Sequence, residues 1–368
     1  MRIHIIARDI QRFDAVGNFC RQIHALLLAQ GYDASLAAEN CHPDDRALIA
    51  KMPETIGTIG ADDLVILHFS TEDPAFPAIA ALPCAKILYF HNITPERFFA
   101  GIDERTAGLV RQGLQQRPLA AGFDVLMANS RATAQVLHDG LPPQDQRRIT
   151  EAAIVACPPL IGADRWDGIV DQPSNADADA RTVLYVGRLV PHKGVTQLLD
   201  GFATLAAHDA GVRLVCVGGP PDQAYAAVLS ARIAALPPSI AQRIEFLHGL
   251  SDGALKSLYR NAGVCASMSR HEGFGVPLLD ALSFDKPLVI NSEAGMIETA
   301  GDAALVVDAS DAEAVANALA AALDDEATRA QLGAARRLRL PALRRQADGH
   351  LILNAVTQAR TLHRARIV

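Results

Sequence analysis

The 368-residue chain has six cysteines, at 20, 41, 84, 157, 216 and 265, and no two of them form a C-x-x-C pair. Single, scattered cysteines spell neither a zinc cage nor a disulfide framework, so the expectation is a reduced, cytoplasmic chain. No segment reaches the ~20 apolar residues of a membrane span. The opening MRIHIIARDI, broken by Arg2, His4 and Arg8, lacks the long apolar core of a signal peptide. Any membrane contact is therefore expected to be peripheral. Positive charge is not in excess either: 34 Lys and Arg face 41 Asp and Glu, a formal charge of −7. Without a cationic footprint for phosphates, nucleic acid is not an expected partner. Ordinary Gly and Pro numbers (26 and 20), with 50% hydrophobic and 20% charged residues, exclude disorder, collagen and coiled coil. The length suits two α/β domains.

What is present is alternation. Short apolar runs at 3–6, 64–69, 87–90 and 125–128 alternate with helical patterns, the signature of βαβ units and parallel sheets. Phe19, Ile23, Leu26 and Leu27 give the first helix one buried face. The stretch 164–181, DRWDGIVDQPSNADADAR, has Pro, Gly, Ser and acid with little apolar periodicity, and reads as a linker. Strands then restart at 183–186, 214–217, 244–247, 264–267, 288–290 and 305–307, and Val195, Leu198, Leu199, Phe202 and Leu205 mark a second buried helix. Between Arg336 and Arg366 eight arginines face one acid, Asp348. Within that tail Ile352, Ala355, Val356, Ala359 and Leu362 form an apolar stripe. A terminal amphipathic helix with a solvated Arg face fits this pattern, and so does a patch for a membrane surface or anionic acceptor.

Two stretches carry chemistry. The first, Tyr185-Val186-Gly187-Arg188, is a strand end that opens through a loop to Lys193-Gly194 and the helix at Val195. Ligands of open α/β sheets bind beyond the C-terminal strand ends, where Arg188 and Lys193 could clamp a diphosphate. Taken alone, R-x4-K-G reads as a loop with two ordinary surface cations, and the stretch needs a partner. The second is His271-Glu272-Gly273-Phe274-Gly275-Val276-Pro277, followed by Asp280 eight residues after Glu272. Gly273 and Gly275 allow close backbone approach, and amides at a helix start favour a phosphate. An acid one turn into that helix can accept from ribose hydroxyls, although a G-x-G turn with a capping acid also fits.

Together these stretches resemble glycosyltransferase family 4, the retaining type-B glycosyltransferases. That family carries G-R-x4-K-G and then E-G-F-G-x-P-x-x-E-A, matched here by Gly187-Arg188, Lys193-Gly194, Glu272 to Pro277, and Asp280-Ala281. The likeness continues through 246–252 and 298–308 and covers most of 183–323. It implies an α/β chain of two Rossmann-like doubly wound parallel-sheet domains facing a cleft. Residues 1–163 would form the acceptor-side domain, 164–181 the hinge, and 182–340 the nucleotide-sugar domain. Residues 341–368 would form a helix crossing back to the first domain. By the same resemblance Gly17 meets the donor phosphate, and Leu250 and Asp280 bind the nucleoside. His91, in Tyr89-Phe90-His91-Asn92-Ile93-Thr94-Pro95, is similar to a histidine motif of bacterial surface-polysaccharide members and would face the donor sugar. A lone histidine at a strand end is more often structural.

The sequence departs from the family in two places. Asp280 stands where Glu is usual, and Asp285 replaces the Gly before Lys286-Pro287, a position that often needs left-handed backbone. The implied activity is transfer of a hexose, with a lean to mannose from GDP-mannose, to a saccharide or lipid-linked saccharide acceptor in polysaccharide or lipopolysaccharide assembly. Arg188, Lys193 and the Gly273-Phe274-Gly275 backbone would hold the leaving diphosphate, while Glu272 and His91 address the sugar. No cofactor or metal is expected, because the cations serve the diphosphate and the D-x-D at Asp177 and Asp179 reads as solvated linker charge. A UDP-hexose donor is the near alternative. A non-catalytic two-lobed sugar-binding protein is the rival of another class, and a nicotinamide oxidoreductase lacks its G-x-G-x-x-G after the first strand.

Overall fold

The computed structural model describes residues 1–12, 14–160, 165–173 and 179–367, and the chain divides into two compact units. The first comprises Met1–Ala100, Glu104–Ala163 and Arg344–Val368, the second Gly101–Asp103 and Asp164–Leu343. The first holds strands β1 (Arg2–Ile10), β2 (Asp33–Cys41), β3 (Ile49–Lys51), β4 (Leu64–Phe69), β5 (Ala85–Phe90), β6 (Val125–Ala128) and β7 (Val155–Ala156). The second holds β8 (Thr182–Val186), β9 (Arg213–Val217), β10 (Ile244–Leu247), β11 (Val264–Ser267), β12 (Leu288–Asn291) and β13 (Leu305–Val307).

Both sheets are parallel, with orders β3-β2-β1-β4-β5-β6-β7 and β10-β9-β8-β11-β12-β13. Parallel strands are covered on both faces, so they read as continuous apolar runs. In β4 the alternation is explicit: Leu64 and Ile66 enter one core, Val65, Leu67 and Phe69 the other. The strand order reverses at β1/β4 in the first sheet and at β8/β11 in the second, which makes these the switch points where such sheets bind ligands.

The helix Ala15–Ala29 is capped by Asp14, whose carboxylate accepts from the amides of Val16 and Gly17. Its buried face is Phe19, Ile23 and Leu27. The helix His350–Ile367 packs Ile352, Ala355, Val356 and Ala359 into the same core as Ile87 and Tyr89 of β5. Leu362, the fifth member of the expected stripe, stays 39% exposed.

Two boundaries differ from the sequence reading. The break expected between 340 and 341 falls inside the helix Glu326–Gln346, which carries Pro341 in its interior. The segment read as linker is partly strapped down: Lys256 Nζ donates to the carbonyls of Trp166 (2.9 Å) and Ile169 (2.7 Å), and Gln172 N donates to Gly253 O at 3.2 Å. Residues 164 and 174–178 of that segment, including Asp177, lie outside the described residues.

Three arginines of the basic tail have internal partners. Arg336 pairs with Asp285 at 2.9 Å, Arg339 donates to Thr299 O, and Arg366 reaches the buried Asp124 at 3.1 Å. Arg344, Arg345 and Arg364 are exposed.

Candidate active site

The second unit's switch point explains why two distant motifs meet. Residues 187–194 follow β8 and residues 268–275 follow β11, and these strands are neighbours. The two loops are laced together by backbone as well: Arg270 N donates to His192 O at 2.8 Å. Gly194 sits at φ 67°, and a Cβ there would lie 1.8 Å from the Met268 carbonyl oxygen. Only glycine permits that contact.

Across this seam Lys193 Nζ and the Glu272 carboxylate form a partly buried ion pair. Arg188 is exposed, and among the described residues its guanidinium has no protein partner; its carbonyl accepts from Tyr185 Oη at 2.8 Å. Burial first, and then the crowding charges of Lys193 and Arg188, push His192 down to about 2. An anion would relieve that crowding.

Gly275 caps the helix Val276–Ser283 at φ 87°, and the buried Phe274 presents its carbonyl to Thr299 Oγ1 at 2.5 Å. Gly273 is buried between Glu272 and Phe274. Behind the loop stands a residue the sequence reading missed. Glu293 caps the helix Ala294–Ala300 through Gly295 N (2.8 Å) and Met296 N (3.3 Å). Burial, with the Glu272 charge beside it, raises its carboxyl above the usual range. A Cβ at Gly295 would lie 2.3 Å from the Glu272 carbonyl, so glycine lets this helix press against the loop.

Leu250 is half-buried after Gly249 (φ 64°), just before Ser251, which caps the helix Asp252–Asn261. Asp280 is different from expectation. It is 3% exposed, and both oxygens are taken: Trp166 Nε1 donates at 3.0 Å and Arg165 Nη1 at 3.1 Å. Ribose hydroxyls would have to displace these groups. Burial raises the Asp280 carboxyl to about 6 against the opposing Arg165 charge. Trp166 packs edge-on to Phe284 (5.2 Å) and Tyr259 (5.9 Å). The chain's single tryptophan, inside a stretch of linker composition, was the available signal. Asp285 adopts φ 61°, the left-handed backbone its position calls for.

In the first unit Gly17 does not offer its amide to a ligand, because that N–H is held by Asp14 at 3.0 Å. A Cβ at Gly17 would lie 2.3 Å from the Gln11 carbonyl, so its role in this structure is the close return of the loop after β1. His91 follows β5 and is half-buried. Its backbone is fixed by His91 N to Phe69 O (2.9 Å), by Asn129 Nδ2 to His91 O (3.2 Å), and by Asn92 at φ 69°. Its Nε2 lies 2.8 Å from Nδ1 of His68, a buried residue of β4 that the sequence reading passed over. The signal was there: one polar residue inside the run 64–69.

Among the described residues no group of three or more His, Cys, Asp or Glu could hold a metal ion, and no helix is long and apolar enough to cross a membrane.

Two parallel α/β units, each with a switch point, are the architecture of the type-B glycosyltransferase fold. Solved structures share it. An alpha,alpha-trehalose-phosphate synthase (UDP-forming) from Burkholderia vietnamiensis covers 97% of this chain and 100% of its own, with TM-score 0.69 and 13% identity. Anabaena Alr3699/HepE, solved with UDP-glucose, covers 95% and 99%, with TM-score 0.71 and 17% identity. Residues 169–339 match the family described as Glycosyl transferases group 1. A D-inositol 3-phosphate glycosyltransferase of Corynebacterium efficiens is 28% identical over 236 residues, which are 63% of this chain and 55% of that protein. A GDP-mannose-dependent alpha-(1-6)-phosphatidylinositol monomannoside mannosyltransferase of Mycobacterium tuberculosis is 29% identical over 202 residues, 50% of this chain and 51% of its own. The chain thus spans about half the length of these curated relatives.

Proposed function

We propose that the protein is a retaining hexosyltransferase that moves a sugar, with mannose from GDP-mannose favoured, from a nucleoside diphosphate to a saccharide or lipid-linked saccharide. The observation that carries this reading is the Lys193–Glu272 pair, which joins two loops 79 residues apart beside the exposed Arg188. A departing diphosphate needs preorganised positive charge, and Arg188 and Lys193 supply it without a metal. Glu272 keeps the Lys193 ammonium in place and would accept hydrogen bonds from the sugar hydroxyls. The backbone of Gly273-Phe274-Gly275 would lie against the phosphates at the start of the helix Val276–Ser283. Leu250 would flank the nucleoside, and His91 in the first unit would address the sugar. The relative from M. tuberculosis is GDP-mannose-dependent, which favours GDP-mannose. The exposed arginines Arg344, Arg345 and Arg364 suit a peripheral contact with an anionic membrane face or acceptor.

The test is thermal unfolding with GDP-, UDP- and ADP-sugars in chelator, alongside release of nucleoside diphosphate. One donor should raise the Tm by mass action and be slowly hydrolysed, and Arg188→Ala or Lys193→Ala should abolish both effects. If no donor in the panel protects the protein, the diphosphate clamp is wrong.

A further inference from the structure

We infer that His68 fixes the ring proton of His91, so that His91 meets its ligand as a neutral hydrogen-bond donor through Nδ1–H and not as a base. This rests on the transferase reading for the ligand's identity, but the proton's position stands on geometry alone.

At 2.8 Å, His68 Nδ1 and His91 Nε2 share one hydrogen, so one ring donates and the other accepts. Which one donates is decided at the far side of His68. Its Nε2 is buried and, among the described residues, has no hydrogen-bond partner. Were the proton there, an N–H donor would be sealed from water without an acceptor, the costlier of the two orphan states. The proton therefore sits on His68 Nδ1 and points at His91 Nε2. His91 Nε2 is then the acceptor, and the remaining ring proton of His91 is on Nδ1. Among the described residues the His91 ring makes no other hydrogen bond, so Nδ1–H is its one polar group left for a ligand.

The surroundings hold this arrangement. His68 stacks on Tyr89 at 5.4 Å, and Phe19 stands edge-on to both histidines, 5.4 Å from His68 and 5.9 Å from His91. Burial pushes His68 down to about 3, and burial together with His68 holds His91 well below its ordinary range, so neither ring is charged near neutral pH. A neutral donor can bind a sugar hydroxyl or an oxygen gaining negative charge without adding a cation beside a sugar that is itself becoming positive. His68 is thus a positioning residue, acting on the ligand only through His91.

Long-range 1H–15N spectra of the histidine-labelled full chain near neutral pH test the proton directly, with His91 assigned by its loss in His91→Gln. The expected result is a protonated Nδ1 and a bare Nε2 on His91, a pattern that changes in His68→Leu. Steady-state kinetics test the consequence. His68→Leu should lower kcat about tenfold to a hundredfold while donor KM stays within about twofold. His68→Asn, whose side-chain amide can place a donor near the former Nδ1, should recover most of that loss. A protonated Nε2 on His91 in the parent protein overturns the inference, as does a His68→Leu variant with unchanged kcat. Absence of turnover with every sugar nucleotide would instead sink the transferase reading, and the spectra would still decide the proton.

Discussion

The two units share an architecture and differ in what their strand ends carry. At the ends of β8 and β11 the second unit gathers charge: Arg188, Lys193, Glu272 and, behind them, Glu293. At the ends of β4 and β5 the first unit gathers neutral groups ringed by aromatics: His68, His91 and Asn92, beside Phe19 and Tyr89. Asn92 and Asn129 each bury an amide oxygen that has no partner among the described residues. On the proposed reading, one end would take an anion that keeps its charge throughout, the other a group that is neutral or becoming positive. The same sheet can therefore serve opposite electrostatic needs, because the chemistry resides in the loops.

The sharpest test of this contrast removes one polar side chain at each end, charged in the second unit and neutral in the first. Arg188→Ala should weaken donor binding by roughly 100-fold to 1,000-fold, since a charge-assisted pair to phosphate is lost. His91→Ala should leave donor protection against heat within about twofold of the parent while turnover falls. Equal losses of affinity in both variants would erase the distinction.

Next in size is backbone geometry. Gly194→Ala forces a side chain into a left-handed residue and against the Met268 carbonyl, so it should cost about 3 kcal/mol or more in denaturant unfolding. Gly17→Ala meets Gln11 without the left-handed penalty and should cost less. The reverse ranking would mean that the first unit's loop is the more rigid.

Each unit also buries one aspartate whose carboxyl is raised to about 6 by burial, Asp73 in the first and Asp280 in the second. The native state takes up these protons before the unfolded chain does, so between about pH 4 and 6 each carboxyl makes stability fall as pH rises. His68 and His192, lowered to about 3 and about 2, act oppositely: below 6.5 the unfolded chain binds their protons first, and stability rises with pH. Asp73→Asn or Asp280→Asn should therefore make stability climb more steeply between pH 4 and 6, by up to about 1.4 kcal/mol per unit. Unchanged slopes from urea titrations at several pH values would show that these carboxyls ionise normally.

The smallest effect is at Asp285. Replacing it by Ala should cost about 1 kcal/mol through its φ of 61°, whereas Asp285→Gly should be neutral within about 0.5 kcal/mol. A difference below the error of the melts would place the strain elsewhere.

How much of this was legible depends on whether the cause is local. Strands buried on both faces, such as β4 and β5, announce themselves as unbroken apolar runs. β2 does not, because only Leu36, Ala37 and Ala38 of its nine residues are buried and two of those are alanines of weak strand preference. β7, two residues long, has no pattern to read. The charged seam was legible because Arg188, Lys193 and Glu272 lie in short motifs. The His68–His91 contact crosses two strands 23 residues apart, and no local pattern encodes it. Asp280 shows the same limit: its spacing from Glu272 suggests a ribose, while the partners it holds in this structure come from residues 165 and 166.

Trp166 is the chain's only tryptophan, and it is buried with its N–H on Asp280. The protein's intrinsic emission above ~320 nm therefore originates in the second unit alone, at the strap that enters it. A red shift on heating or in urea dates the release of that strap, while far-ultraviolet circular dichroism follows both sheets. If the two signals part company, the halves of the molecule melt as separate bodies, and a sugar nucleotide that delays only the optical signal has declared which half it grips.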